Sequence, residues 1–229
     1  MTATVRAAAG EFLGSAGLAA VVIGSGIAAQ RLSPTDVGLQ LFENAFATAL
    51  GLAVLILVFM NVSGSHFNPV VTLVDIVLDR RPWSAAAVYL PVQVIGCVAG
   101  AILANVMFAA PAVEWSTTDR SGWNLLLAEL VATAGLIVVI FGLARTGRSH
   151  LAPPAVGAYI GAAYFFTSST SFANPAITVG RMFSDTFAGI APASVLPFIG
   201  AQLVGAAIGW MLVLSLFPIA PPEPATPRG

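Results

Sequence analysis

The sequence predicts an all-α integral membrane protein, with six transmembrane helices and two re-entrant half-helices in an inverted repeat, forming one membrane domain over residues 1–229. Three observations predict it. Hydrophobic residues make up 58% of the chain and charged residues 8%, with a mean hydropathy of +0.91. A soluble domain carries about 25% charged residues, so there is too little polar surface here to face water on all sides. Apolar runs long enough to cross a bilayer, about 20 residues each, recur along the chain. Finally, Asn-Pro appears twice in apolar surroundings, at Asn68-Pro69 and Asn174-Pro175.

In chain order, the spanning runs fall near 8–30, 38–61, 85–110, 123–144, 152–168 and 193–217. The gaps hold the breakers and charges: RLSPTD at 31–36, DRRPW at 79–83, PAVEWSTTDRSG at 111–122 and RTGRSH at 145–150. Two shorter apolar pieces, 69–78 and 175–186, each follow an Asn-Pro. They are too short to span and read as re-entrant half-helices. The Pro-rich tail at about 219–229 reads as disordered. EFLGSA at 11–16 parallels ELVATA at 129–134, which puts Glu11 and Glu129 at matching points of the first span in each half. Each half, about 8–110 and 123–217, then holds an odd number of spans, so the second enters the membrane from the opposite side.

Asn favours the helix N-cap, and Pro suits the first helical position, where its missing N–H costs nothing. Each box therefore starts a helix. A helix start at membrane depth leaves N–H groups that cost several kcal/mol each unless they line a watery cavity. Matched interruptions in the two halves point to a transport site. Inverted halves bring the two N-termini together near the midplane, where each end carries roughly half a positive charge. That arrangement opposes cations and protons. It leaves the Asn68 and Asn174 amides to donate to a neutral solute or to water, so the residues describe a passive pore for small uncharged molecules.

The net charge of −1 and the lack of a basic run argue against a nucleic-acid partner. The lone Cys97 excludes an internal disulfide or a cysteine metal cluster and reads as a small buried hydrophobe. No nucleophile–base pair, metal cluster or phosphate loop suggests an enzyme, and no cofactor is called for. The first apolar run reads as a retained span rather than a cleaved signal. There is no Lys. With cytoplasmic termini, Arg6, Arg80, Arg81, Arg145, Arg148 and Arg228 lie inside, and Arg31, Arg120 and Arg181 outside. That bias supports N-in, C-in topology in a plasma membrane.

The Asn-Pro-Val and Asn-Pro-Ala boxes, the SGxHxNP run at 63–69 and a Glu in the first and fourth spans resemble the major intrinsic proteins, the aquaporins and aquaglyceroporins. The resemblance covers about residues 9–217. It implies six spans plus two half-helices, a pore in each subunit and a homotetramer in the bilayer. It also implies a constriction near Thr48, Ala162, Ser171 and Ile177, with Thr48 lying 20 positions before Asn68 and Ala162 lying 12 before Asn174. The family usually places Arg where this chain has Ile177, and glycerol facilitators usually carry Asp shortly afterwards, where this chain has Thr178-Val179. A filter of Thr48, Ala162, Ser171 and Ile177 is wider than a water channel's and lacks its cation. The run NPAITVGRMFSDTFAGIAP is similar to a bacterial branch associated with arsenical resistance, which implies the bacterial inner membrane. Arsenous acid is uncharged at neutral pH and presents three hydroxyls, much like glycerol. Arsenous acid, methylated arsenicals, polyols and some water are the expected cargo, and a water-selective channel is the alternative.

The remaining polar residues have two readings each. Glu11 and Glu129, with Pro69 and Pro175 beside them as structural elements, either accept hydrogen bonds from the loops before the half-helices or reach water at the interface. His66 either faces the pore, donating to solute or gating with pH, or holds the loop. Arg181 and Asp75 sit seven positions after their respective Asn, on the same helical face. They line the two mouths or cap polar helix ends. In the first case Arg181 stands in for the missing filter Arg, about 6 Å further out at 1.5 Å per residue. Phe165, Phe166 and Phe172 narrow the pore or pack between subunits. Gly14, Gly51, Gly96, Gly135, Gly161 and Gly205 permit close helix crossings. An ion channel or coupled transporter is disfavoured by the few intramembrane charges, and a junction protein by the short loops.

Overall fold

The computed structural model describes residues 1–79 and 82–218. The predicted tail at 219–229, Arg80, Arg81 and Arg228 lie outside the described residues. The helices are α1 (Ala3–Leu32), α2 (Val37–Ser63), α3 (Pro69–Asp79), α4 (Ser84–Met107), α5 (Trp123–Arg145), α6 (Ala152–Phe166), α7 (Pro175–Arg181) and α8 (Pro192–Leu216), with a 3-10 turn at Ser149–Leu151 before α6. The architecture is all-α: six long helices enclose the two half-helices α3 and α7.

Local chemistry sets the ends. The Thr2 hydroxyl caps α1 by accepting from Val5 N–H, and the Asp36 carboxylate caps α2 by accepting from Leu39 N–H. Gly64, at φ +91°, ends α2 in the left-handed conformation that an L side chain resists. Pro69, Pro175 and Pro192 open α3, α7 and α8.

Among the described residues, α1, α2, α4, α5 and α8 are long and apolar enough to cross a bilayer. The fifth predicted span is shorter than the rest, since α6 has 15 residues. At 1.5 Å per residue α6 covers about 22 Å, and the 3-10 turn adds about 6 Å, close to the roughly 30 Å of a hydrocarbon core. The second half-helix also differs from expectation. It stops at Arg181 rather than continuing to residue 186, because the chain turns back through Ser184 and Thr186, whose backbone and side-chain groups bond to each other.

α1 packs on α2 and α4, α5 packs on α6 and α8, and α2 against α6 joins the halves. Each half-helix also crosses to the other half: α3 touches α8, and α7 touches α4 and α1. The outward faces carry Leu50, Val54, Leu57, Val58, Ile95 and Leu103 exposed, as a lipid-facing surface requires. Phe165 and Phe166 belong to this surface, being 55% and 56% exposed. They do not narrow a pore.

Two helix crossings repeat. A Cβ on Gly96 would lie 2.6 Å from the Phe12 carbonyl oxygen, and one on Gly100 would collide with the Ala16 backbone. In the second half, Gly205 meets Leu130, and a Cβ on Gly209 would lie 2.7 Å from the Ala134 carbonyl oxygen. Backbone-to-backbone contact of this kind lets membrane helices gain dispersion energy that lipid would otherwise match. Gly100→Leu or Gly209→Leu should therefore destabilise the protein by about 1–3 kcal/mol or more. Fluorescence-detected size exclusion after a heat ramp in detergent checks this; an unchanged midpoint for both would mean that the crossings tolerate side chains.

Candidate functional site

The site is built around backbone that neither helix nor sheet satisfies. Just before each half-helix the chain alternates into left-handed conformation, at Ser65 (φ 55°) and Phe67 (φ 49°) in one half and at Ser171 (φ 49°) and Ala173 (φ 47°) in the other. Such geometry costs a non-glycine residue on the order of 1–2 kcal/mol, so something must hold it. Glu11 and Glu129 do. The Glu11 carboxylate accepts from His66 N–H at 3.0 Å and Phe67 N–H at 2.7 Å. The Glu129 carboxylate accepts from Phe172 N–H at 2.8 Å and Ala173 N–H at 2.9 Å. Both glutamates are fully buried, which excludes the reading of carboxylates that reach water.

Two glutamines, missed by the sequence reading, complete the support. Gln93 Nε2 donates to Glu11 at 2.7 Å and to the Thr72 hydroxyl at 2.9 Å. Gln202 Nε2 donates to Glu129 at 2.7 Å and to the Thr178 hydroxyl at 2.9 Å. Thr72 and Thr178 in turn donate to the Asn68 and Asn174 carbonyls. The signal was present, since each glutamine lies three residues before one of the crossing glycines, Gly96 and Gly205.

The two boxes meet. Asn174 Oδ1 accepts from Ala176 and Ile177 N–H, and Asn68 Oδ1 accepts from Val70 N–H, so each Asn caps its own half-helix. Each amide then donates across the junction: Asn68 Nδ2 to the Ala173 carbonyl and Asn174 Nδ2 to the Phe67 carbonyl, both at 2.8 Å. An amide has two N–H donors, so each Asn keeps one beyond the cross-bond. Pro69 and Pro175 are buried at the first helical positions.

A narrow cavity of about 60 Å³ passes this junction, lined by Asn68 and Asn174, by the pre-helix segments, and by apolar side chains including Leu52, Val71 and Ile160. One water needs about 10–15 Å³ of such space, so the cavity takes a short file of small molecules. Thr48, Ser171, Ile177 and His66 all lie on its wall. Ala162 does not. It faces outward from α6, and the inward positions of that helix are Ile160 and Tyr164. The count from Asn174 missed by two residues, which on a helix turns a side chain about 200°. Tyr164 hydrogen-bonds Thr48 through their hydroxyls at 3.2 Å, closing a polar contact between α2 and α6.

Phe172 and Arg181 stand at the Ile177 end. Arg181 is 2% exposed and lies on the cavity wall, which a plain helix cap would not do. Its Nε donates to the Ala188 carbonyl, and its Cζ sits 3.4 Å from the Phe172 ring centroid. Arg120 approaches the same ring at 4.9 Å and anchors the loop by donating to the Gly189 carbonyl at 2.8 Å. Burial lowers the Arg120 pKa from its usual value, and the nearby Glu129 charge opposes that shift. Beyond this end lies a recess of about 510 Å³ that includes Arg120, Asp119 and Asp185. At the opposite end, His66 borders both the central cavity and a recess of about 480 Å³ with Asp75 and Tyr89. His66 Nδ1 lies 3.0 Å from the Thr72 hydroxyl, and Nε2 lies 3.7 Å from Asp75. Asp75 lies at that recess, outside the central cavity.

Paired half-helices, joined by reciprocal asparagine bonds beside a narrow cavity in a membrane bundle, form the frame of a pore, and comparison with known proteins gives the same answer. A model of the major intrinsic proteins matches residues 1–173. Aquaglyceroporin AqpS of Rhizobium meliloti (strain 1021) is 42% identical over 222 residues, covering 97% of this chain and 92% of the relative. The chain belongs to the major intrinsic protein family. Probable aquaporin NIP4-2 of Arabidopsis thaliana is 33% identical, over 66% of this chain and 56% of the relative. The crystal structure of the aquaglyceroporin from Plasmodium falciparum aligns with a TM-score of 0.69 at 19% identity, covering 92% of this chain and 95% of that one, and so agrees in fold. This major intrinsic protein is thus a membrane channel of the kind that passes small solutes. The family match ends before Asn174, so the second box is known from the sequence and the geometry above.

Glu129→Gln should destabilise the protein, because a carboxylate oxygen facing N–H donors is replaced by an amide N–H. Each unmade buried bond costs about 1–3 kcal/mol. A thermal-unfolding midpoint in detergent as high as wild type would show that Glu129 does not hold the Phe172–Ala173 backbone.

Proposed function

We propose that this protein is a passive channel for small uncharged hydroxylated solutes, with arsenous acid, methylated arsenicals and glycerol-like polyols as cargo and some water passing alongside. The observation that carries this reading is Ile177 on the cavity wall in the position where the family usually has Arg. An aliphatic side chain there gives a hydrophobic wall for the carbon or arsenic side of the solute. Asn68, Asn174 and Thr48 offer polar groups to its hydroxyls, Ser171 lies on the same wall, and His66 borders the inner mouth. With Ala162 turned outward, the fourth constriction group is Tyr164, tied to Thr48.

A wall that carries both donors and apolar side chains suits an amphiphilic triol better than water alone. The relative from Rhizobium meliloti is named an aquaglyceroporin, which supports the same class of cargo. The water-selective alternative draws on the small cavity volume of about 60 Å³. We place the protein in a bacterial inner membrane with both termini cytoplasmic, on the arginine bias, and as a homotetramer of inverted repeats at about 8–110 and 123–217, as the family resemblance implies. Opposed half-helix N-termini disfavour cations in the file.

The experiment is stopped-flow light scattering on proteoliposomes under water, glycerol and arsenous acid gradients. Uptake of both solutes well above empty liposomes is expected; rapid water flux with neither solute would establish the water-selective reading instead. Ile177→Arg should lower polyol and arsenous acid permeability at least tenfold and water permeability less. Equal loss of all three would mean that this position does not select by solute size.

A further inference from the structure

We infer that Arg181 sets both charge rejection and hydroxyl orientation at the outer end of the pore, and that Ile177 is left to set its width. This rests on reading the central cavity as the conduction path. A guanidinium has five N–H donors in a rigid fork. Arg181 spends Nε on the Ala188 carbonyl, and among the described residues it makes no other hydrogen bond. Neither Nη is among the buried polar atoms that lack a partner, although the residue as a whole is 2% exposed. The Nη groups are therefore open to the space that Arg181 lines, which is the cavity.

The guanidinium is held rather than mobile. Its carbon lies 3.4 Å from the Phe172 ring centroid, and the Ala188 carbonyl grips its edge. The early end of α7 makes this possible, because the chain turns back after Arg181 and returns residue 188 to it. A Lys at this position has no planar fork to be held in this way. The neighbouring groups are complementary. The Thr48–Tyr164 hydroxyl pair lies on the same wall. Paired Nη donors suit two acceptor oxygens borne on one or on adjacent atoms. A third hydroxyl on the solute can then exchange a hydrogen bond with Thr48, while its apolar side meets Ile177. The ligand class is a small neutral molecule with two or three clustered hydroxyls.

The charge does separate work. Arg120 lies over the same ring at 4.9 Å. The carboxylates at this end are Glu129, taken up by the Phe172 and Ala173 N–H groups, and Asp119 and Asp185 in the recess beyond, so Arg181 is the charged group on the cavity wall itself. The matching position of the first half carries Asp75 and borders the inner recess instead. The barrier to cations is thus concentrated at the Arg181 end and is independent of pore width at Ile177.

Arg181→Leu and Arg181→Lys, reconstituted in proteoliposomes, test this with two readouts: sodium and proton leak under an imposed potential, and competition by glycerol against arsenous acid uptake. Arg181→Leu should raise the leak at least tenfold and weaken the competition about fivefold. Arg181→Lys keeps the charge without the fork, so its leak should stay at the wild-type level while competition weakens about threefold. A wild-type leak in Arg181→Leu overturns the charge role, and unchanged competition in Arg181→Lys overturns the orienting role. If the leucine variant does not assemble, Arg181→Gln removes the charge with a polar side chain: a leak at least tenfold above wild type upholds the charge role, and a wild-type leak overturns it. Wild-type liposomes that pass no solute would refute the proposed cargo, while the leak measurement would still read the charge barrier.

Discussion

The reciprocal bonds between Asn68 and Asn174 join two helices whose N-termini meet inside the protein. Such a junction places unpaired N–H groups and left-handed backbone where hydrocarbon offers no solvent. The Asn carboxamide oxygens take the N–H groups of the first helical turns. The buried Glu11 and Glu129 take those of the segments immediately before. These bonds occupy the donors of the junction itself, and what remains for the cavity is one amide N–H per Asn and, at the Ile177 end, the Arg181 Nη groups. The pore's polarity is what is left after the fold has satisfied itself.

The same requirement explains the packing. A carboxylate buried in each of α1 and α5 needs a donor from a neighbouring helix, which Gln93 and Gln202 supply from α4 and α8. Those glutamines reach the glutamates only because the helices approach closely, and the glycines nearby, Gly96, Gly100, Gly205 and Gly209, permit that approach. Small residues and buried polar groups are therefore parts of one arrangement.

The two halves share this scaffold but differ at their ends. In the first half His66, Thr72 and Asp75 face one recess. In the second, Phe172 and Arg181 crowd the cavity, and the loop carrying Arg120 folds over them. The repeat accounts for strength and alignment, and the departures from it account for the chemical difference between the two mouths.

The number and type of elements, the two helix starts and the buried glutamates were legible in the sequence, because each is a local matter of apolar length, Asn-Pro chemistry or repeat position. Glu11 and Glu129 matched through a six-residue likeness, while their glutamine partners lie 82 and 73 residues further on and share only the interval of three to a crossing glycine. The cavity wall was less legible. Thr48, Ser171 and Ile177 lie there as counted, but Ala162 does not, because helical rotation converts an error of two residues into the opposite face and loop length between α6 and α7 sets that register. Phe165 and Phe166 turned outward for the same reason, while Phe172 turned inward on the extended segment. The position of Arg181 was decided by the turn that brings Ala188 back to its guanidinium and by Phe172 beneath it. The linear pattern alone therefore determined a membrane bundle with two helix starts inside it. Which side chains face the passage depended on rotation, helix crossing and chain reversal, and those are set by contacts between residues far apart in the chain.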